Sequence, residues 1–383
     1  MKNKESAKIV CLGTGMVGSV MVRDLAQNPD FQVTAVDRDQ EALEKLKAEG
    51  PVKIVQADLQ DMDRLSELIQ DCDFVVNAVP GFMGFSTLKQ LIEAGKNVVD
   101  IAFFPEDAFL LDDLAKSKGV TAVVDCGVAP GMSNLILGYH NQHMEIDFFE
   151  CLVGGLPMKR SWPYEYKAPF SPIDVLEEYT RPARFVENGE IVTRPALSEP
   201  ELVDLDPVGT LEAFNSDGLR SLIRTMQIPN MKEKTMRYPG HANLMRILRE
   251  TGFLNDDLIE IDGHLIRPLD LTTKLLFPIW KLEANEKEFT IMRIVIRGME
   301  NGKRKEIIYH LFDQTDPATG FSSMARTTGF ACTAAVHLVA NGEFTRKGIS
   351  PPEFVGAEAG CFDKMMAYQE ARQVMYRKEE REL

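Results

Sequence analysis

Ile9-Val-Cys-Leu-Gly13-Thr-Gly15-Met-Val-Gly18 reads as a buried strand entering a glycine turn and then a helix. Gly13 and Gly15 carry no Cβ, so the backbone can turn sharply and approach a pyrophosphate closely. Gly18 lets the following helix pack near the strand, and that helix aims free N–H groups and its positive dipole end at an anion on the turn. Thr14, Met16 and Val17 complete the candidate phosphate cradle. A lone G-x-G-x-x-G pattern is weak, because turns need glycine anyway. Context decides its meaning.

Outward from the turn, Ser19 to Gln27 reads as helix, Asn28-Pro29-Asp30 breaks it, and Gln32-Val-Thr-Ala-Val-Asp37 reads as a second strand. Its terminal acid stands about 20 residues beyond Gly18, where a Rossmann unit places the carboxylate that accepts from the adenosine ribose hydroxyls. A carboxylate there repels the 2′-phosphate of NADP, so Asp37 favours NAD. Arg38 leaves NADP open, since a guanidinium can pair with that phosphate.

Further strands are expected at 52–56, 74–78, 97–102 and 120–125, with amphipathic helices such as Gln40 to Ala48 and Asp61 to Gln70 between them. Repeated βα alternation implies an α/β fold with a doubly wound parallel sheet of the Rossmann type. Ligands of such sheets lie beyond the carboxyl ends of the strands. Asp58 and Leu59 are therefore placed to meet an adenine, and Asn77, Ala78, Val79 and Pro80 a pyrophosphate or nicotinamide ribose. The bland alternative at each is a turn-forming residue. Cys126 and Gly127 follow the sixth strand, beside the expected nicotinamide. Cys126 reads better as a small packing residue than as a catalytic thiol, which needs an electropositive setting.

A chain of 383 residues exceeds the size at which single cores stop growing, so two domains are the prior. The expected division is a dinucleotide domain over 1–130, an α+β substrate and dimerisation domain over 131–320, and C-terminal helices over 321–383 that complete the first. In the second domain Glu288 to Arg297 alternates, Glu300-Asn-Gly-Lys303 turns, and Arg304 to Phe312 returns, an Asn-Gly hairpin. The open sheet it implies is a candidate dimer interface. Ser322 to Gly342 reads as a small-residue helix packed in the seam between domains, and the charged tail after Met375 as a fraying helical end.

A net charge of −15 with no basic cluster argues against nucleic acid or anionic membrane as partners. The six cysteines are scattered without a C-x-x-C pair, so neither a disulfide framework nor a zinc site is expected. The histidines show no ligand-like spacing, and no metal is expected. Without a signal peptide or a long apolar run the chain reads as cytoplasmic.

Asp125-Cys-Gly-Val-Ala-Pro-Gly-Met-Ser-Asn134, Met324-Ala-Arg-Thr-Thr-Gly329 and Lys347-Gly-Ile-Ser-Pro-Pro-Glu353, taken with the glycine turn, resemble the saccharopine dehydrogenase family. Glu177-Glu-Tyr-Thr-Arg-Pro-Ala-Arg-Phe-Val-Glu-Asn-Gly189 and Thr235-Met-Arg237-Tyr238-Pro-Gly240-His241-Ala-Asn-Leu-Met245 look most like its lysine 6-dehydrogenase branch. The resemblance implies a nicotinamide-dependent enzyme acting at a carbon bearing nitrogen. The branch implies oxidation of the ε-amine of L-lysine with NAD, release of ammonia, and cyclisation of the 6-semialdehyde. It also implies a homodimer or higher homo-oligomer.

On the residues themselves, Arg237, Tyr238 and His241 place three polar side chains on one turn before a helix. His241 is the leading candidate base, with a helix-capping role as the alternative. Tyr238 is a donor to substrate, and Arg237 a bidentate partner for its carboxylate. Trp162, Tyr164 and Tyr166 are candidates to wall a pocket. Arg160, Arg181, Arg184 and Arg293 are the candidate cations for the extra carboxylates of saccharopine, a secondary amine and the alternative substrate. A non-catalytic NAD-binding sensor is the alternative of a different class.

Overall fold

In the computed structural model, which describes residues 6–283 and 286–383, the chain forms two compact units. The first comprises 1–143 and 325–375; the second comprises 144–324 and 376–383. The first boundary thus falls later than 130. The helix Met132–His140 packs against Pro352–Ala357, where a Cβ on Gly138 would meet the Glu353 carbonyl carbon at 2.7 Å, and this holds it in the first unit.

The first unit is built on a seven-stranded parallel sheet. Its strands are β1 (Ala7–Leu12), β2 (Phe31–Asp37), β3 (Lys53–Gln56), β4 (Phe74–Asn77), β5 (Asn97–Asp100) and β6 (Thr121–Val123), with Gly348–Ser350 beyond β6. The spatial order 3-2-1-4-5-6 is that of a dinucleotide-binding Rossmann sheet, and the C-terminal segment adds the seventh strand. Ile9 to Leu12 of β1 and all of β4 are buried, which explains their apolar runs. Six residues of the following helix α1 (Gly18–Leu25) are buried as well.

The helix Ser323–Ala340 packs within the first unit from Ala325 onward. Gly329 lies so close to α1 that a Cβ there would be 3.3 Å from Met21, and Thr333 Oγ1 donates to the buried Asp24. Its small residues permit that approach.

The second unit centres on a nine-stranded mixed sheet. Strand Glu145–Pro157 pairs parallel with Met231–Arg237 and antiparallel with Glu288–Glu300. The expected hairpin forms, with Glu300 opposite Lys303 and the two turn residues Asn301 and Gly302 at φ 52° and 75°.

The charged tail is a strand, not a helix. Tyr376–Glu382 pairs antiparallel with Lys303–Gln314. Its charges match the neighbouring strand: Glu382 meets Lys303, Glu380 meets Lys305 and Arg381 meets Glu306. Cross-strand pairs of opposite charge stabilise an exposed strand that has little apolar surface to bury. That complementarity lies between segments distant in sequence, so the tail alone did not reveal it.

Candidate active site

Every residue proposed for the cofactor lies at or just beyond the carboxyl edge of the parallel sheet. Gly13 turns with φ 89°, its N–H donating to Val36 O, and a Cβ there would sit 2.5 Å from Ala78 O. A Cβ on Gly18 would lie 2.1 Å from Gly13 O, so only glycine lets α1 start this close to the turn. At Gly15 a Cβ would meet nothing within 4 Å. The constraint at Gly15 is thus not imposed by the protein, as expected where a ligand's backbone approach sets it. Among the described residues, no hydrogen bond takes up the N–H groups of Gly15, Met16 and Val17. These three donors at a helix start suit a pyrophosphate.

Asp37 ends β2 half-buried beside the turn. Its Oδ2 accepts from Thr14 N at 2.6 Å and Thr14 Oγ1 at 3.0 Å, and Oδ1 accepts from Asp39 N at 3.0 Å. Thr14 therefore ties Asp37, the candidate ribose-reading acid, to the glycine turn. Arg38 is exposed, and its guanidinium has no ion-pair partner among the described residues. Asp58 is exposed and accepts from Gln60 N, which makes it a turn former, while Leu59 is buried in the core.

Asn77 is fully buried at the end of β4, donating from Nδ2 to Asp100 Oδ2 at 2.6 Å; its Oδ1 has no partner. Asp100 was missed at the sequence level, although it ends β5 as Asp37 ends β2. Ala78 and Val79 continue the edge, and Pro80 starts the helix Gly81–Glu93. Cys126 is buried, with its thiol pushed up to about 12 by burial, then by Asp125 and Asp100. A thiol so held is an inert packing group. Gly127 is buried too, donating to Asp125 O and Pro130 O.

In the second unit the structure separates the three side chains of the 237–241 turn. Arg237 and His241 enter one buried aromatic cluster with Tyr166, Tyr179 and Trp280, whereas Tyr238 joins another with Phe289, Leu156 and Met236. Arg237 is 2% exposed. Its Nε donates to Tyr179 Oη at 3.1 Å, Nη1 to Met236 O at 2.9 Å, and Nη2 to the Glu178 carboxylate. The guanidinium also lies 4.6 Å from the Tyr166 ring centre.

His241 continues this chain. Its Nδ1 lies 2.9 Å from Tyr164 O, which can only accept, so Nδ1 carries the proton. Nε2 then accepts from Tyr179 Oη at 3.0 Å. Burial, followed by the charge of Arg237, lowers the imidazole to about 3. The ring is neutral at physiological pH, with both nitrogens engaged by protein.

Helix His241–Glu250 is capped by Glu212, which accepts from Gly240 N and Ala242 N, and not by His241. Tyr238 Oη donates to Pro157 O at 2.9 Å, with Arg160 stacked over its ring. Tyr164 and Tyr166 pack around Trp280, while Trp162 is 88% exposed and walls nothing. Glu178, Tyr179, Trp280 and Glu212 were not foreseen. Each acts through a contact distant in sequence, and only the motif around 177–189 hinted at the first two.

Each of the four candidate arginines has an acidic partner. Arg160 pairs with Glu165, Arg181 with Glu177, Arg184 with Asp217 through two nitrogens, and Arg293 with Glu150. Among the described residues no group of three or more His, Cys, Asp or Glu side chains is arranged to hold a metal ion. Among the described residues no helix is long and apolar enough to cross a membrane.

Comparison with known proteins agrees with this arrangement. Residues 9–123 match the saccharopine dehydrogenase NADP binding domain, and residues 127–372 match the saccharopine dehydrogenase C-terminal domain. The chain belongs to the saccharopine dehydrogenase family. Carboxyaminopropylagmatine dehydrogenase of Synechocystis is 23% identical over 373 residues, covering 90% of this chain and 91% of that protein. A saccharopine dehydrogenase [NADP(+), L-glutamate-forming] of Pyricularia oryzae is 26% identical over 65% of this chain, which spans 58% of that relative's length. Apo saccharopine dehydrogenase (L-Glu forming) from Saccharomyces cerevisiae has the same fold, with a TM-score of 0.80 at 19% identity, covering 98% of this chain and all of that one.

Proposed function

We propose that the protein oxidises the ε-amine of L-lysine with NAD, as a lysine 6-dehydrogenase. The observation that carries the choice of substrate is the acid beside every candidate arginine. Saccharopine brings three carboxylates to its site and needs several uncommitted cations, whereas lysine brings one. A nicotinamide, bound with its pyrophosphate on Gly15 to Val17, supplies the hydride acceptor.

The reaction needs a neutral amine, because the nitrogen lone pair must form the C=N bond as hydride leaves Cε. The two electrons leave with the hydride, giving a protonated imine and NADH. Water then adds, and ammonia departs to leave the semialdehyde, which cyclises onto the α-amine.

A free lysine amine has a pKa of about 10.4, so deprotonation at neutral pH costs about 4–5 kcal/mol. His241 and Tyr238 are both committed to protein acceptors or donors. In this reading the proton therefore leaves to solvent, and Arg237 and His241 position the pocket wall instead of touching substrate.

For the cofactor, the family model and the Pyricularia relative carry NADP in their names. The reading here rests instead on Asp37, whose carboxylate suits a free ribose hydroxyl and opposes a 2′-phosphate. A second reading, a secondary amine such as saccharopine, is favoured by the names of the relatives.

The test is NADH or NADPH formation with purified protein over lysine, ornithine, saccharopine and carboxylated polyamines. Lysine with NAD is expected to turn over fastest. Preference for saccharopine, or turnover with NADP alone, overturns the reading, and tight NAD binding with no turnover on any amine points to a sensor.

A further inference from the structure

Asp37 closes β2 with a carboxylate that the chain itself holds on both sides. Its Oδ2 faces the glycine turn and accepts twice from Thr14, from the backbone N–H at 2.6 Å and from the hydroxyl at 3.0 Å. Its Oδ1 faces the start of the helix Gln40–Glu49 and accepts from Asp39 N at 3.0 Å. Asp39 is fixed in turn, because its own carboxylate caps that helix through Glu41 N and Ala42 N. Thr14 is only 3% exposed, so water does not compete for its hydroxyl.

An ionised carboxylate has about four lone-pair sites. Three are taken here, two on Oδ2 and one on Oδ1, so the acceptor site that remains is on Oδ1.

We propose that Thr14 sets how the adenosine ribose is read: by filling Oδ2, it reduces Asp37 from a reader of both ribose hydroxyls to a reader of the 2′-hydroxyl alone. The connectivity of the ribose assigns the hydroxyl. The 3′-carbon is one bond closer to the 5′-phosphate chain than the 2′-carbon. With the pyrophosphate on Gly15 to Val17, the 3′-hydroxyl lies on the side of the turn, against the filled Oδ2. The 2′-hydroxyl lies on the far side, against Oδ1. The cofactor is thus selected at the 2′-position, and the acid leaves the 3′-position unread. Thr14 acts through Asp37 and is a positioning residue. The proposal rests on the dinucleotide reading above, whichever amine is oxidised.

The test is calorimetric titration of the full chain with NAD and with its 2′-deoxy and 3′-deoxy analogues at the adenosine ribose. The wild type is expected to bind the 2′-deoxy analogue about tenfold weaker or more, the loss of one hydrogen bond to a charged acceptor, and the 3′-deoxy analogue within about twofold of NAD. Thr14→Val keeps the shape and the backbone donor and frees one site on Oδ2. In that variant the 3′-deoxy analogue should also lose affinity, by about fivefold or more, whereas Thr14→Ser should keep the wild-type pattern. A packing role for Thr14 would instead weaken all three ligands alike. Equal penalties in the wild type, a Thr14→Val pattern matching the wild type, or uniform weakening overturns the proposal and leaves the cofactor reading in place. NAD binding with no penalty for either analogue removes Asp37 from the ribose, and failure to bind NAD removes the cofactor; each of these overturns both readings.

Discussion

The turn at 13–18 and the turn at 237–241 both join a strand to a helix, and they present opposite chemistry. The first offers backbone N–H groups that no protein group takes up among the described residues; the second offers side chains that protein groups already engage. At the first turn, steric exclusion around glycine sets the geometry, and the ligand-facing position is left open. At the second, Glu178, Tyr179 and Tyr164 consume the polar capacity of Arg237 and His241. One turn leaves donors open for a ligand, and the other spends its polar groups on its own neighbourhood.

The sharpest way to break this contrast is inside the glycine turn itself. Gly18→Ala places a Cβ 2.1 Å from Gly13 O and should lower both stability and dinucleotide affinity severely, the latter by a hundredfold or more. Gly15→Ala meets nothing and should leave thermal unfolding unchanged, yet weaken NAD by about tenfold through lost backbone approach. Calorimetric titration with NAD beside a melting curve reads both. Equal destabilisation by the two variants would remove the distinction between packing glycine and ligand glycine.

At the second turn, Tyr179→Phe leaves Arg237 Nε and His241 Nε2 buried without partners, and should cost roughly 2–4 kcal/mol in urea unfolding. The acid side offers a further test. His241 is held neutral down to about pH 3, whereas in the unfolded chain it charges near 6.5. The unfolded state therefore binds the extra proton first, so stability is complete above pH 6.5 and falls as pH drops toward 3. The expected loss is on the order of 3–5 kcal/mol. His241→Gln should flatten that slope; an identical slope in the variant would place the acid sensitivity elsewhere.

The effect at Glu288 is of similar size and has the opposite sign. Burial raises this carboxyl to about 8, so it is protonated in the folded chain while the unfolded chain has already lost the proton above about 4.5. Stability is then progressively lost as pH rises from 4.5 through 8. Glu288→Gln keeps the acceptor for Met324 N and removes the titration. It should match the wild type at pH 5 and exceed it at pH 8, by about 3–4 kcal/mol.

The same contrast explains what was legible in the sequence. The alternation of strand and helix, the glycine turn and the place of Asp37 follow from spacing, because backbone geometry repeats wherever that spacing occurs. The Asn-Gly hairpin was legible for the same reason. The role of His241 was not, because it depends on Tyr179 and Tyr164, far along the chain and brought close only by tertiary packing. Asp100 beside Asn77 escaped for the same reason, as did the terminal strand. There the residues read as a solvated helix until Lys303, Lys305 and Glu306 are set beside them. The domain boundary moved because Gly138 packs backbone to backbone on Glu353, a contact that hydrophobic periodicity does not register.

The central claim is that a neutral primary amine loses hydride without a protein base, and the pH dependence of kcat/KM for L-lysine with NAD tests it most directly. The claim predicts a steep rise through about pH 8–10 as the free amine deprotonates, with His241→Gln retaining the same profile. A profile flat from pH 6 to 9 would contradict it.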